Sequence, residues 1–217
     1  MDDALSYVLQ RFNITHISEH TRPVEIPGAT RNDLAVLFAE LGYKVGAEIG
    51  TWRGEFAEVL CKANSGLLLN CIDPYQAIAY ADSVSGWPKE QERFTLYYKE
   101  AREKLKPYSV NWVKAYSMTA VKRFDDNSLD FVYIDANHNF QHVVNDLCEW
   151  LKKVKPGGII SGHDYARFKL RTDCHVKAVL NAYTDAFGIT PWFLLGAMDK
   201  DADPGRDLYR SWFWVKK

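Results

Sequence analysis

The sequence has only four cysteines, which lie far apart, and no two of them form a C-x-x-C pair. A zinc ribbon or a dense disulfide framework would need cysteines paired at short spacing. Cys61, Cys71 and Cys148 stand within apolar periodic segments, where a reduced cysteine packs as a small hydrophobic side chain. Cysteine usage therefore indicates a reducing compartment, and we expect the protein to be cytoplasmic.

Long apolar runs and blocks of a single charge are also absent. The longest apolar runs are too short to cross a bilayer, and the acidic, mixed stretch MDDALSYVLQRF is unlike a secretory signal. The 27 basic and 28 acidic residues give a formal net charge of −1 and are spread along the chain. We therefore expect neither nucleic acid nor a membrane surface as a partner.

The sequence does contain a regular alternation of short apolar runs with helical patterns, which predicts a parallel sheet covered by helices on both faces. Two final strand-like runs, Trp192–Leu195 and Leu208–Val215, are joined by a polar connection too short for a comfortable crossover helix. They predict an antiparallel hairpin at the sheet edge. The fold class is thus α/β, with a doubly wound, Rossmann-like, mostly parallel seven-stranded sheet. We expect residues 1–30 to form an N-terminal helical extension and residues 31–217 to form the main domain.

Ligands of a doubly wound sheet bind beyond the carboxyl ends of its strands. Polar residues or glycines stand at five of these predicted ends: Glu48 with Gly50, Asp73, Ser117, Asp135, and His163 with Asp164. The sequence therefore predicts one site along this edge of the sheet.

The segment EIGTWRG forms the first of these turns, and its glycines Gly50 and Gly54 permit a tight turn and close approach to a ligand. It lacks the dinucleotide pattern G-x-G-x-x-G, and Glu48 is a poor neighbour for pyrophosphate but suits a cationic amino-acid ligand. Asp73 is positioned to accept hydrogen bonds from both hydroxyls of a ribose. Each residue alone is better explained by an ordinary turn or strand end, whereas all of them together, in this order, favour a binding site.

These motifs resemble those of class I S-adenosylmethionine-dependent methyltransferases. EIGTWRG is similar to their first motif, CIDPY to the acidic end of their second strand, and VYIDANHNFQHVVNDLCEWLKKVKPGGIISGHDY to the second half of that fold. Within the class, the chain is similar to the branch of macrocin- and cephalosporin-biosynthesis-type O-methyltransferases.

The resemblance runs from about Leu34 to the C-terminus and implies that residues 31–217 bind S-adenosylmethionine. It implies specific contacts to each part of this cofactor. The methionine and ribose part lies near Glu48, Gly50 and Gly54, the ribose hydroxyls on Asp73, and the adenine near Ser117.

The resemblance also implies a divalent metal on Asp135, His163 and Asp164, because related metal-dependent members carry ligands at the matching strand ends. Such a cation would chelate two substrate oxygens and lower the pKa of a hydroxyl. An imidazole ligand suits Mn, Fe, Ni or Zn better than Mg²⁺. Three interpretations stay open: the metal is not Mg²⁺, His163 is not a ligand, or no metal binds and SGHDY is a hydrogen-bonded strand end.

His138 is the candidate general base, because the resembling sugar O-methyltransferases have a histidine near this point. A neutral imidazole titrates in the range needed to accept a hydroxyl proton. The alternative is structural, since Asn137-His138-Asn139 begins a helical pattern and asparagine is a strong N-cap. Further along this helix, we expect Asp146 and Glu149 on the solvent-exposed side.

The sequence thus predicts a small-molecule O-methyltransferase that transfers the methyl group by in-line displacement. Two alternatives remain. One is a nicotinamide or flavin oxidoreductase on a similar sheet, against which Glu48 and the missing third glycine argue; the other is a non-catalytic scaffold with this fold.

The acceptor is a small molecule whose identity is not encoded in any readable motif. We expect residues 74–89, including Trp87, to form a lid and to shape the acceptor pocket with residues 165–173. The sequence leaves open whether the protein forms a homo-oligomer.

Overall fold

The computed structural model describes residues 2–17, 22–77, 90–166, 174–196 and 209–217. Within these ranges strands and helices alternate as the sequence predicts. The strands are β1 (Val24–Ile26), β2 (Val45–Ile49), β3 (Leu68–Ile72), β4 (Val110–Val113), β5 (Leu129–Ile134), β6 (Val154–Gly162), β7 (Phe193–Leu195) and β8 (Trp212–Val215). The helices are α1 (Asp2–Arg11), α2 (Arg31–Glu40), α3 (Glu55–Ala63), α4 (Gln91–Lys104), α5 (Ser117–Ala120), α6 (Phe140–Lys153) and α7 (Val176–Ala186).

All of these strands belong to one sheet, with the order β1-β7-β8-β6-β5-β2-β3-β4. Of the described strands, only β8 runs antiparallel to its neighbours. The chain winds outward in one direction from β2 and in the other from β5, so the switch point of the doubly wound sheet lies between these two strands. The predicted α/β fold, mostly parallel and with a C-terminal antiparallel hairpin, is therefore confirmed.

The number of strands and the position of the hairpin differ from the prediction. β1 pairs in parallel with β7 and occupies the edge, so the described part of the chain forms an eight-stranded sheet and the β7–β8 hairpin lies inside it. β1 has only three residues and lies between Pro23 and Pro27. Proline cannot donate to a strand ladder and is confined to edges and strand ends. The sequence of this short segment is therefore typical of a loop, and the strand is not predicted from it.

β5 lies near the centre of the sheet, and every one of its residues is buried. Phe131 and Tyr133 pack in the core layer that contains residues of α2 and α3, whereas Val132 and Ile134 pack in the layer with α6 and α7. Because successive side chains point to opposite faces, a strand covered on both faces has an unbroken apolar sequence. This packing brings the next residue, Asp135, to the sheet edge in a fixed position.

Parts of the predicted N-terminal extension join this core. Val8 of α1 is fully buried in the layer with α2 and α3, and β1 pairs with the sheet. The boundary at residue 30 stays a prediction. Most of the predicted lid (78–89, with Trp87) and most of the predicted acceptor-pocket segment (167–173) lie outside the described residues.

Two expectations from composition can be compared with the structure directly. None of the four cysteines, all of which lie in the described part of the chain, forms a disulfide. Among the described residues, none of the helices combines the length and the apolar composition needed to cross a bilayer.

Candidate active site

The carboxyl ends of β2, β5 and β6 open into one cavity of about 290 Å³. Six of the nine predicted site residues line it: Glu48, Gly50, Asp135, His138, His163 and Asp164. The remaining three do not line it: Gly54, Asp73 and Ser117. The cavity wall also contains charged and aromatic residues that the sequence did not single out: Arg31, Arg53 and Tyr209.

The turn from β2 to α3 passes close to the backbone that follows β5. A Cβ atom added to Gly50 would lie 2.1 Å from the carbonyl oxygen of Asp135, and the φ angle of Gly50 is +94°. The amide of Asp135 donates to the carbonyl of Ile49 at 2.8 Å, which fixes the two segments side by side. Gly54, which caps α3, also has a positive φ, of 70°. Both glycines thus serve the tight turn that the sequence predicts.

Glu48 lines the cavity although only 3% of its surface is exposed. Burial, followed by the charge of Asp135, raises the pKa of Glu48 well above its ordinary value, while the charge of Arg31 lowers it. Its Oε2 atom has no hydrogen-bond partner among the described residues. A buried carboxylate is stable only when it is paired or hydrogen-bonded, so Glu48 is suited to a cationic or hydrogen-bond-donating ligand.

Asp73 follows β3 and is 1% exposed. Its Oδ2 accepts from the amide of Trp52 at 2.9 Å, and its Oδ1 accepts from the amide of Tyr75 at 2.7 Å. Burial raises the pKa of Asp73 to about 6, and these two hydrogen bonds lower it in part. Trp52 belongs to the turn between β2 and α3 and lines the cavity. Through its hydrogen bond to the amide of Trp52, Asp73 therefore holds this turn in place.

Two imidazoles and two carboxylates form a cluster on the other side of the cavity. His138 Nε2 lies 3.1 Å from Asp164 Oδ2 and 3.4 Å from Asp135 Oδ1, and His163 Nδ1 lies 3.4 Å from Asp164 Oδ2. Burial raises the pKa of Asp164, but the charges of His138 and His163 outweigh burial and hold this pKa below its usual range. Asp164 also has a φ of +63°, a conformation that costs most non-glycine residues about 1–2 kcal/mol.

Part of this cluster can hold a divalent cation. The ligand atoms of Asp135, His163 and Asp164 lie within 4.8 Å of one another. Carboxylate oxygens together with an imidazole nitrogen suit Mn, Fe, Ni or Zn better than Mg²⁺.

Ser117 begins α5 and belongs to a partly buried hydrogen-bond chain, and it does not line the cavity. It donates to Asp146 and accepts from Trp150 Nε1 at 2.8 Å. The expectation that Asp146 is solvent-exposed is wrong, because this residue is only 3% exposed. Burial raises the pKa of Asp146 to about 7, and the hydrogen bond from Ser117 lowers it in part. The burial of Asp146 could have been predicted from the helical spacing, since Val143, Asp146 and Trp150 lie at i, i+3 and i+7 on one face.

Arg31 lines the cavity because it is the first residue of α2, and this helix begins beside the site. Thr30 Oγ1 accepts from the amide of Asn32 at 3.2 Å, and Asp33 Oδ2 accepts from the amide of Thr30 at 2.8 Å. This capping box starts the helix beside the site, with the Arg31 guanidinium 5.2 Å from the centre of the Phe56 ring. The T-x-x-D spacing could have located the helix start, but it carries no information about the cavity.

A family model described as a methyltransferase domain matches residues 47–165. A search of curated proteins finds no significant match.

Three solved structures illustrate the fold similarity. The O-methyltransferase TomG from Streptomyces achromogenes, solved with S-adenosylmethionine, is 18% identical with a TM-score of 0.58, over 100% of this chain and 91% of TomG. An O-methyltransferase from Bacillus cereus, solved with S-adenosylhomocysteine, is 17% identical with a TM-score of 0.58, over 100% and 92% of the two chains. Spermidine synthase from Thermotoga maritima is 14% identical with a TM-score of 0.57, over 87% of this chain and 60% of that one.

At these identities the solved structures establish the fold alone, and one fold hosts more than one reaction. The family match is more specific, because residues 47–165 make up over half of the 217-residue chain and include all nine predicted site residues. The chain therefore belongs to the methyltransferase domain family.

Proposed function

We propose that the protein is an S-adenosylmethionine-dependent O-methyltransferase that acts on a hydroxyl group of a small molecule. The observation that carries this proposal is the single cavity that joins Glu48, whose Oε2 atom has no hydrogen-bond partner among the described residues, to the cluster around His138. TomG and the Bacillus cereus protein, which share the fold, are O-methyltransferases that were solved with S-adenosylmethionine and S-adenosylhomocysteine. The motifs also support the finer assignment to the macrocin- and cephalosporin-biosynthesis-type branch.

The cofactor lies along the β2–α3 turn in this proposal. Glu48 accepts hydrogen bonds from the methionine ammonium group, and Gly50 and Gly54 keep the turn close to the methionine and ribose part. Asp73 accepts from the ribose hydroxyls, because each of its oxygens has one backbone donor and retains a further lone pair. Ser117 lies near the adenine. When bound, S-adenosylmethionine supplies an electrophilic methyl group on a positively charged sulfur.

His138 accepts the proton of the acceptor hydroxyl. The carboxylates of Asp135 and Asp164, 3.4 and 3.1 Å from its Nε2 atom, stabilise the imidazolium that forms. A positioned base contributes about 10²–10⁴-fold to the rate, and the rest of the acceleration comes from holding the hydroxyl oxygen in line with the methyl group.

A divalent cation would be held by Asp135, His163 and Asp164, whose ligand atoms are gathered within 4.8 Å. Such a cation supplies Lewis acidity that lowers the pKa of a nearby hydroxyl. The imidazole of His163 favours a transition metal over Mg²⁺.

An acceptor panel tests the proposal. Catechols, sugars, polyketide alcohols and amines are each incubated with the protein and S-adenosylmethionine, and release of S-adenosylhomocysteine is measured. We expect turnover with a class of hydroxyl compounds and a loss of about 10²-fold or more in His138→Ala. His142→Ala, at an exposed position of the neighbouring helix, is the matched control and should retain full activity.

Turnover with amines alone would contradict the assignment to O-methylation. Binding of S-adenosylhomocysteine without turnover of any acceptor would favour the non-catalytic scaffold. An unchanged rate in His138→Ala would remove the base role from this residue.

A further inference from the structure

A thiol lies beside the imidazole–carboxylate cluster and belongs to none of the roles described above. The ligand atoms of His138, Asp164 and Cys174 lie within 4.8 Å of one another. This set shares Asp164 with the cation site described above. Its other two donors are the imidazole of His138 and the sulfur of Cys174, in place of Asp135 and His163.

Backbone contacts hold Cys174 against this cluster. The amide of its neighbour His175 donates to the carbonyl of His138 at 2.9 Å. The thiol of Cys174 itself lies 3.9 Å from the carbonyl oxygen of Asp164. Cys174 forms no disulfide and is half-buried rather than fully buried. The thiol is therefore tied to both partners rather than brought near them by chance rotation of a surface side chain.

The three donor types specify the kind of ion. A thiolate, an imidazole and a carboxylate together are typical ligands of Zn²⁺, whereas Mg²⁺ and Ca²⁺ prefer oxygen ligands alone. In tetrahedral zinc sites, bond lengths of about 2.0–2.3 Å place neighbouring donor atoms about 3.3–3.8 Å apart. The imidazole and carboxylate are already 3.1 Å apart at His138 Nε2 and Asp164 Oδ2. A site therefore forms with movements on the order of 1 Å.

We propose that His138, Asp164 and Cys174 form an inhibitory zinc site. When the zinc–sulfur bond forms, the thiol releases its proton to water, and the fourth coordination position is left to solvent. Bound zinc occupies the imidazole of His138 and the carboxylate of Asp164, so neither is available for proton removal or for a cation with Asp135. The inhibitory effect rests on the proposed function, but zinc binding does not.

Metal titrations of the full-length, metal-free protein test the site directly. Co²⁺ is added as a spectroscopic probe, and the affinity for Zn²⁺ is measured by competition with a chromophoric chelator. We expect a thiolate-to-cobalt charge-transfer band in the wild type and its loss in Cys174→Ser. We also expect zinc affinity to fall at least tenfold in this variant, the lower range seen when a metal site loses a supporting residue. Cys148→Ser, which alters another half-buried free cysteine, is the control and should retain both signals.

His163→Ala separates the two overlapping sites, because zinc affinity should persist in this variant. Loss of zinc affinity in His163→Ala together with its retention in Cys174→Ser would overturn the proposal, as would a wild-type cobalt spectrum without the thiolate band.

Inhibition is then measured as the ratio of rates with and without zinc for each variant. Zinc should inhibit the wild type and Cys148→Ser but not Cys174→Ser. Equal inhibition of all three proteins would overturn the inhibitory role. Because zinc affinity is measured without cofactor or acceptor, failure of the methyltransferase proposal would leave the binding result intact.

Discussion

Replacing Asp146 by asparagine should make the protein more stable above neutral pH. The carboxyl of Asp146 is buried, and its pKa is raised from an ordinary value of 3.8 to about 7. Between these two values the folded state keeps a proton that the unfolded state has lost, so the free energy of unfolding falls as pH rises. At 1.36 kcal/mol per pKa unit the full effect is about 4 kcal/mol, of which roughly 2–3 kcal/mol falls between pH 5 and pH 8. Asparagine retains an oxygen that accepts from Ser117 but cannot ionise.

Urea denaturation of the wild type and Asp146→Asn at pH 5 and pH 8 measures this effect. We expect the stability difference between the two proteins to change by about 2–3 kcal/mol in favour of the variant as pH rises. Glu149→Gln alters an exposed-side carboxylate on the same helix that pairs with Lys152, and this control should keep the wild-type pH dependence. Parallel pH profiles for the wild type and Asp146→Asn would refute the inference that burial raises the pKa of Asp146.

Three further predictions concern the candidate active site. Gly50→Ala should lower the melting temperature more than Gly42→Ala, because both sites have positive φ but only the former places a Cβ 2.1 Å from the Asp135 carbonyl oxygen; equal losses in thermal denaturation would show that the clash relaxes. Asp73→Ala should weaken binding of S-adenosylhomocysteine at least tenfold in calorimetry because it removes the ribose acceptors, and an unchanged affinity would withdraw that role. Asp164→Ala should abolish any stimulation of methyl transfer by added metal while leaving S-adenosylhomocysteine affinity intact, and insensitivity of the wild-type rate to EDTA would refute the metal proposal.

Sequence periodicity predicted the central strands because their environment is simple. β5 is buried on both faces, so its sequence is an unbroken apolar run that ends where Asp135 emerges. The same logic located Glu48 and Asp164 at the ends of neighbouring strands. Parallel strands bring their carboxyl ends to one edge, so the order of polar residues along the chain already predicted a common site.

Other features depend on contacts that local patterns do not encode. β1 is three residues long and is recognisable as a strand only through its pairing with β7, about 170 residues later in the chain. The sequence predicts Asp146 on the exposed side of its helix, whereas in the structure it is buried and accepts from Ser117, which in turn accepts from Trp150. Cys174 was unremarkable in sequence, and only the fold brings it to His138.

Binding of S-adenosylhomocysteine to the wild-type protein tests the central claim most directly. A ligand present at a hundredfold its Kd stabilises the folded state by about 2.7 kcal/mol, which for a domain of this size raises the melting temperature by roughly 5–10 °C. We predict a rise of this order in a thermal-shift measurement, and no rise with NAD at the same concentration. A melting temperature unaffected by S-adenosylhomocysteine, in folded protein freed of carried-over ligand, would contradict the roles proposed for Glu48 and Asp73.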